Sequence, residues 1–192
     1  MKKISMVAVA MAVCLTSGAW AQSMPVYEST GTLELVVEGK PATYHTTSNT
    51  VPNQPERRVD TARWRVSAPM MMGGVNIAPP GILVSLSARP AVEPDSSLPE
   101  LRINFSLDEN DHTLLESRPF EVIYTVKEGP QAGEYKHASG ALQILSVTAA
   151  GENVLKITGR ADGKLAVSTK DKKGSGAGLN YEVDFSVDAY RF

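Results

Sequence analysis

The stretch LNYEVDFSVDAYRF, residues 179–192, is the clearest structural statement in the chain. Tyr181, Val183, Phe185, Val187 and Ala189 take alternate positions, with Glu182, Asp184, Ser186 and Asp188 between them. In an extended strand successive side chains point to opposite faces, so this pattern makes one apolar face and one acidic face. In a helix the same residues would scatter around the whole circumference. A strand with one dry and one wet face belongs to an antiparallel sheet.

The same cadence recurs upstream. TLELVVEG (32–39), ATYHTTS (42–48), ARWRVSA (62–68), GILVSLSA (81–88), LRINFSL (101–107) and FEVIYTV (120–126) read as strands. So do GALQILSV (140–147), NVLKITGRA (153–161) and GKLAVSTK (163–170). Turn residues separate them: a Gly-Lys-Pro turn after residue 38, GPQAG at 129–133, and two proline-containing loops, NTVPNQPERR (49–58) and RPAVEPDSSLPE (89–100). DKKGSGAG (171–178) reads as a solvated loop. Gly159 and Gly163 predict bulges or tight turns in the C-terminal half. The expected fold is all-β: an antiparallel β-sandwich of about nine or ten short strands, with a small β-barrel as the alternative.

The N-terminus carries an address. Lys2 and Lys3 precede an uncharged apolar run at 4–15, and TSGAWAQ follows, with Ala19 and Ala21 where signal peptidase needs small residues. This predicts a secretory signal peptide over residues 1–21 and a single all-β domain over 22–192. A spanning helix needs about 20 apolar residues, so the run is too short to be one. Cys14 is not a lipidation site, because Val13 stands where a small residue is required. Cleavage removes Cys14, the only cysteine, so the mature chain has no disulfide and must rely on its core. Cleavage also takes Lys2 and Lys3 from 19 basic residues, leaving 17 against 21 acidic ones, a formal charge of −4. That acidity argues against a nucleic-acid partner. No membrane span is expected in the mature chain, and the location is periplasmic or secreted.

Catalytic patterns are missing. There is no Gly-x-Ser-x-Gly elbow, no His-Glu-x-x-His and no phosphate loop; GSGAG (174–178) lacks the lysine such a loop needs. His45, His112 and His137 are the only histidines, and none stands at metal-ligand spacing from another. His45 reads as a sheet-surface residue and His137 as a turn residue. DENDH (108–112) offers alternate oxygen ligands at Asp108 and Asn110, but puts His112 in a ligand position without the glycine of a calcium loop. It reads as a charged turn. No enzyme activity and no cofactor are predicted. A periplasmic hydrolase whose site is assembled from distant segments is the enzymatic alternative.

One motif remains, SAPMMMGGVNIAPPG at 67–81. After removal of the signal, Met70, Met71 and Met72 hold nearly all the thioether of the protein. Thioethers suit Cu(I), which makes copper binding one reading. Gly73-Gly74 gives another: a two-residue hairpin turn needs positive φ at both positions. That registers Met72 with Val75, Met71 with Asn76 and Met70 with Ile77, and Pro69 and Pro79 end the pairing. One face of the ribbon is then wholly apolar. Its default is to pack inward, with Met70 and Met72 against the core and Met71 on the other face. Met70, Met71, Met72, Gly73 and Gly74 are therefore the candidate interaction surface.

The last strand resembles the terminal strand of chaperone–usher pilins, with Gly178 before the alternation and Tyr190 near its end. That resemblance implies an assembly subunit of a surface fibre. Tyr190, however, is out of phase with the apolar face, and the family's cysteine pair is absent. The ending Tyr190-Arg191-Phe192 also resembles an outer-membrane barrel strand, but Asp184, Ser186 and Asp188 break its lipid-facing band. No family follows. The reading is an exported, non-enzymatic β-sandwich that binds an unknown protein or glycan through its loops.

Overall fold

The computed structural model describes residues 25–51, 54–93, 95–168 and 178–192, with the backbone alone for residues 51, 55–57, 70 and 76–78. The expected signal peptide, Met24 and all but the last residue of the 171–178 loop lie outside the described residues. Among the described residues there are twelve strands and no helix. In chain order they are β1 (Val26–Val37), β2 (Lys40–Val51), β3 (Gln54–Asp60), β4 (Ala62–Ser67), β5 (Met70–Met72) and β6 (Val75–Ala78). Then come β7 (Gly81–Ala88), β8 (Glu100–Leu107), β9 (Glu121–Val126), β10 (Gly133–Gly151), β11 (Val154–Val167) and β12 (Leu179–Arg191). The all-β expectation holds, with no helix long and apolar enough to cross a membrane among the described residues.

Ten strands form one sheet in the order β11-β10-β9-β8-β7-β4-β12-β1-β2-β3, and β5 and β6 make a separate ribbon. β11 also pairs with β12, so the pairings return on themselves through β12, β11, β10, β9, β8, β7 and β4. Every pairing is antiparallel except β12 with β4, where Tyr190 lies beside Arg63 and Arg191 beside Trp64.

β12 organises the core as its alternation predicts. Tyr181, Val183, Phe185, Val187 and Ala189 are all buried. Leu33 and Leu35 of β1 stand opposite Phe185 and Val183, and Ile157 of β11 stands opposite Val187. Phe185 has room because Gly159 lies across from it on β11; a Cβ there would come within 2.4 Å of the ring. Phe105 of β8 meets the same ring at 6.2 Å between centroids. Burying a phenylalanine of this kind stabilises the fold by about 1.5–3 kcal/mol.

Four expectations need correction. Residues 49–58 were expected to form a loop, yet residues 49–51 continue β2 and residues 54–60 form β3. Proline is tolerated on an edge strand, and β3 is the edge of this sheet. The expected short strands at 140–147, 153–161 and, as far as residue 167, 163–170 instead fall in two long ones, β10 and β11. Gly163 does not end a strand. It faces Gly140 across the β10–β11 ladder, both with positive φ, so close that a Cβ on Gly163 would fall 2.0 Å from the Ser139 carbonyl oxygen. The bulges fall on β10, where the register shifts after His137, after Ile144 and after Ala149. His137 consequently sits on β10 and not in a turn.

Candidate functional site

The ribbon of residues 70–78 grows out of the β4–β7 hairpin. β4 and β7 pair up to Ser67 and Gly81, pairing stops, and β5 and β6 resume it. Pro69, Pro79 and Pro80 lie in the gap, and proline has no N–H to donate to a ladder. Gly73 and Gly74 close the tip with φ of 58° and 81°, the positive values the sequence requires. Met72 pairs with Val75 and Met71 with Asn76, as expected. Met70 pairs with Ala78 instead of Ile77, because the ladder shifts by one residue between Met70 and Met71.

The inward packing expected of Met72 and Val75 fails. Met71 is 57% exposed, Met72 69% and Val75 64%, and Val66 at the end of β4 is also exposed. The prolines set the ribbon off from the sheet, so Met72 and Val75 project into solvent instead of packing on the core. The positions expected of the Met70 and Ile77 side chains lie outside the described residues. The candidate surface at Met70, Met71, Met72, Gly73 and Gly74 is thus a projecting tip.

Arg118, from the segment between β8 and β9, holds the base of this tip. Its Nη2 donates to the carbonyl oxygens of Ala68 and Pro79, each at 3.0 Å, and its Nη1 to Ser67 Oγ at 2.5 Å. Those two carbonyls belong to the two legs of the ribbon, at the level where the ladder is interrupted. A planar guanidinium with several donors can bridge both legs at once. Sequence reasoning missed Arg118, which lies 50 residues from Ala68 and 39 from Pro79.

Beside the ribbon's base, on the outer face of β4, β7 and β8, is a cleft of about 500 Å³. Arg65, Leu83, Pro119, Glu121 and Phe192 are among its lining residues. Arg63 and Arg65, which alternation places on one face of β4, hold their guanidinium carbons 5.0 and 5.5 Å from the centre of the Phe192 ring. Arg58 lies 3.6 Å over the Tyr190 ring and is paired with Asp60 at 2.7 Å. Across the floor, Ser85 Oγ donates to Asn104 Oδ1 at 2.8 Å, and Asn104 Nδ2 donates to Glu121 Oε2 at 3.2 Å.

The histidines stand apart. His45 is on β2, with Nδ1 3.4 Å from Ser29 Oγ, a hydroxyl that also donates to the Gly31 carbonyl oxygen at 3.2 Å. That separation exceeds the reach of a general base, about 2.6–3.2 Å. His112 adopts φ 58° after a turn in which Asp108 accepts from the Asn110 amide and Asp111 from the Thr113 amide. The carboxylates of Asp108 and Asp111 are thus taken up by their own loop. His137 Nδ1 lies 2.9 Å from the Tyr181 hydroxyl, and its ring packs 4.4 Å from Phe120. Burial lowers the His137 pKa from its ordinary 6.5, and burial raises that of Tyr181. Among the described residues, no three His, Cys, Asp or Glu side chains gather as a metal site.

No protein-family model matches the chain. No curated protein and no solved structure is similar to it.

Proposed function

We propose that this chain is an exported, non-enzymatic interaction module that binds a partner protein with the β5–β6 ribbon. The carrying observation is the tip itself: Met71, Met72 and Val75 face solvent on a two-strand arm whose legs Arg118 ties together. Burying each such side chain against a partner is worth about 1.5–3 kcal/mol, and a base already fixed limits the ordering entropy lost on binding. Thioethers and valine offer nothing to the hydroxyls of a glycan, so the reading favours protein as the partner. Met adapts to irregular apolar surfaces, which suits a tip that enters another protein's pocket. The leader-like residues 1–21 support export.

A photo-crosslinker in place of Met72, compared with one in place of exposed Lys156 on β11, tests the reading in envelope extract. A discrete adduct from position 72 alone supports it, and the same adduct should fade when Met71 is replaced by serine. Equal labelling from both positions, or none from position 72, overturns it. For export, the mature protein should begin at Gln22.

A further inference from the structure

The cleft beside the ribbon carries charge that no ion pair among the described residues neutralises. Arg63, Ser85, Asn104 and Glu121 are direct cross-strand neighbours on β4, β7, β8 and β9, so they form one row on the outer face. Arg65 and Leu83 lie in the next row. Among the described residues, neither Arg63 nor Arg65 forms an ion pair, and neither does Glu121. Arg65 and Glu121 line the same concavity from opposite sides. Three interstrand steps of about 4.8 Å put the strands that bear them roughly 14 Å apart, too far for the two to pair. Glu121 is held in place by Asn104 through one oxygen, and its Oε1 accepts no hydrogen bond among the described residues. Leu83 of β7 lies between the strands that bear the two charges, Pro119 lines the cleft near Glu121, and Phe192 lines it on the far side of β4. Arg118, the other cation of the lining, is committed to Ser67, Ala68 and Pro79.

Opposite charges at the two ends of an apolar trough are the complement of a ligand with opposite charges at its own two ends. We propose that the cleft binds a short extended peptide with free termini, its carboxylate on Arg65 and its ammonium on Glu121. At about 3.3 Å per residue, a span of 10–14 Å corresponds to three or four residues. The volume, about 500 Å³, lies in the range of small-ligand sites. The middle of the peptide lies on Leu83, so apolar side chains are favoured there. This site is separate from the methionine tip, and either can fail without the other.

Calorimetric titration with the tetrapeptide Ala-Leu-Leu-Ala, its N-acetyl form and its C-terminal amide tests the proposal. The free peptide should bind, and blocking either end should weaken it by about tenfold or more, the usual consequence of losing a charge-assisted hydrogen bond. Glu121→Gln should abolish the penalty for acetylation alone, and Arg65→Gln the penalty for amidation alone. Unchanged thermal midpoints confirm that both variants fold. Should either unfold, the three peptides on the native protein decide. Equal affinity of free and blocked peptides, no binding at millimolar concentration, or variants that keep both end preferences would each overturn the proposal.

Discussion

Arg118→Ala should release the ribbon without unfolding the sheet. The β5–β6 ladder has three residue pairs, and a two-stranded ribbon of that size is marginal by itself. Arg118 adds three hydrogen bonds across its base. Hydrogen bonds from a charged donor contribute about 1.5–3 kcal/mol each when buried. The two to carbonyls are solvent-exposed, so a total of about 1.5–3 kcal/mol for all three is the defensible figure. Because each 1.4 kcal/mol is tenfold in an equilibrium constant, amides of β5 and β6 should lose about 10- to 100-fold of their protection in native-state hydrogen exchange. The amides of Val84 and Phe105, in the buried part of β7 and β8, should keep theirs. Were the same free energy lost globally, the thermal midpoint would fall by several degrees, at about 2–4 °C per kcal/mol for a protein of this size. Arg118→Lys should fall between, since one ammonium cannot span both legs. Protection in the ribbon within twofold of the parent, or equal losses at Val84 and Phe105, would refute the clamp.

Replacing Met71 and Met72 together by serine should leave the thermal midpoint almost unchanged, because exposed positions contribute within about 0.5 kcal/mol. Crosslinking through the tip should nonetheless be lost. Gly163→Ala should abolish folding or cost more than about 4 kcal/mol, read from urea unfolding, since its Cβ meets a backbone carbonyl at 2.0 Å in a positive-φ conformation. His137 gives a pH dependence of fixed sign. Its folded pKa lies below the ordinary 6.5, so on acidification the unfolded chain takes up the proton first. The His137 contribution to stability should be constant above pH 6.5, fall as pH drops from 6.5 to the folded pKa, and level off below it. His137→Phe should remove that slope, and an imidazole titration midpoint at or above 6.5 would contradict it.

The sequence was informative where a pattern is local. The alternation of β12 identified the buried residues from Tyr181 to Ala189, and Gly73-Gly74 identified the turn. β3 was hidden because Pro55 looks like a loop residue, and only the sheet order shows that it stands at an edge. β10 was hidden because Gly140 resembles a break, whereas its partner Gly163 turns it into a close backbone contact inside a ladder. The apolar ribbon face was legible but its destination was not. Alternation says that Met72 and Val75 share a face, and whether that face meets core or water depends on prolines that interrupt the ladder below. Arg63 and Arg65 were visible as a pair. Their acidic counterpart Glu121 emerges only from register across four strands, which no single-strand pattern contains.

β12, the last strand in chain order, also sets a timetable. It pairs with β1, with β11 and, through Tyr190 and Arg191, with β4. Gly31 waits for Val187 as its neighbour, and the circuit of strands has no closure until the ribosome has made almost everything described. Such distant pairings are slow to form, since loop closure must precede the contacts that reward it. Until then the nascent chain lacks its native ladder, a state open to aggregation. If the chain is exported as proposed, the same delay is an advantage: nothing would have to be unfolded before it passes a narrow pore.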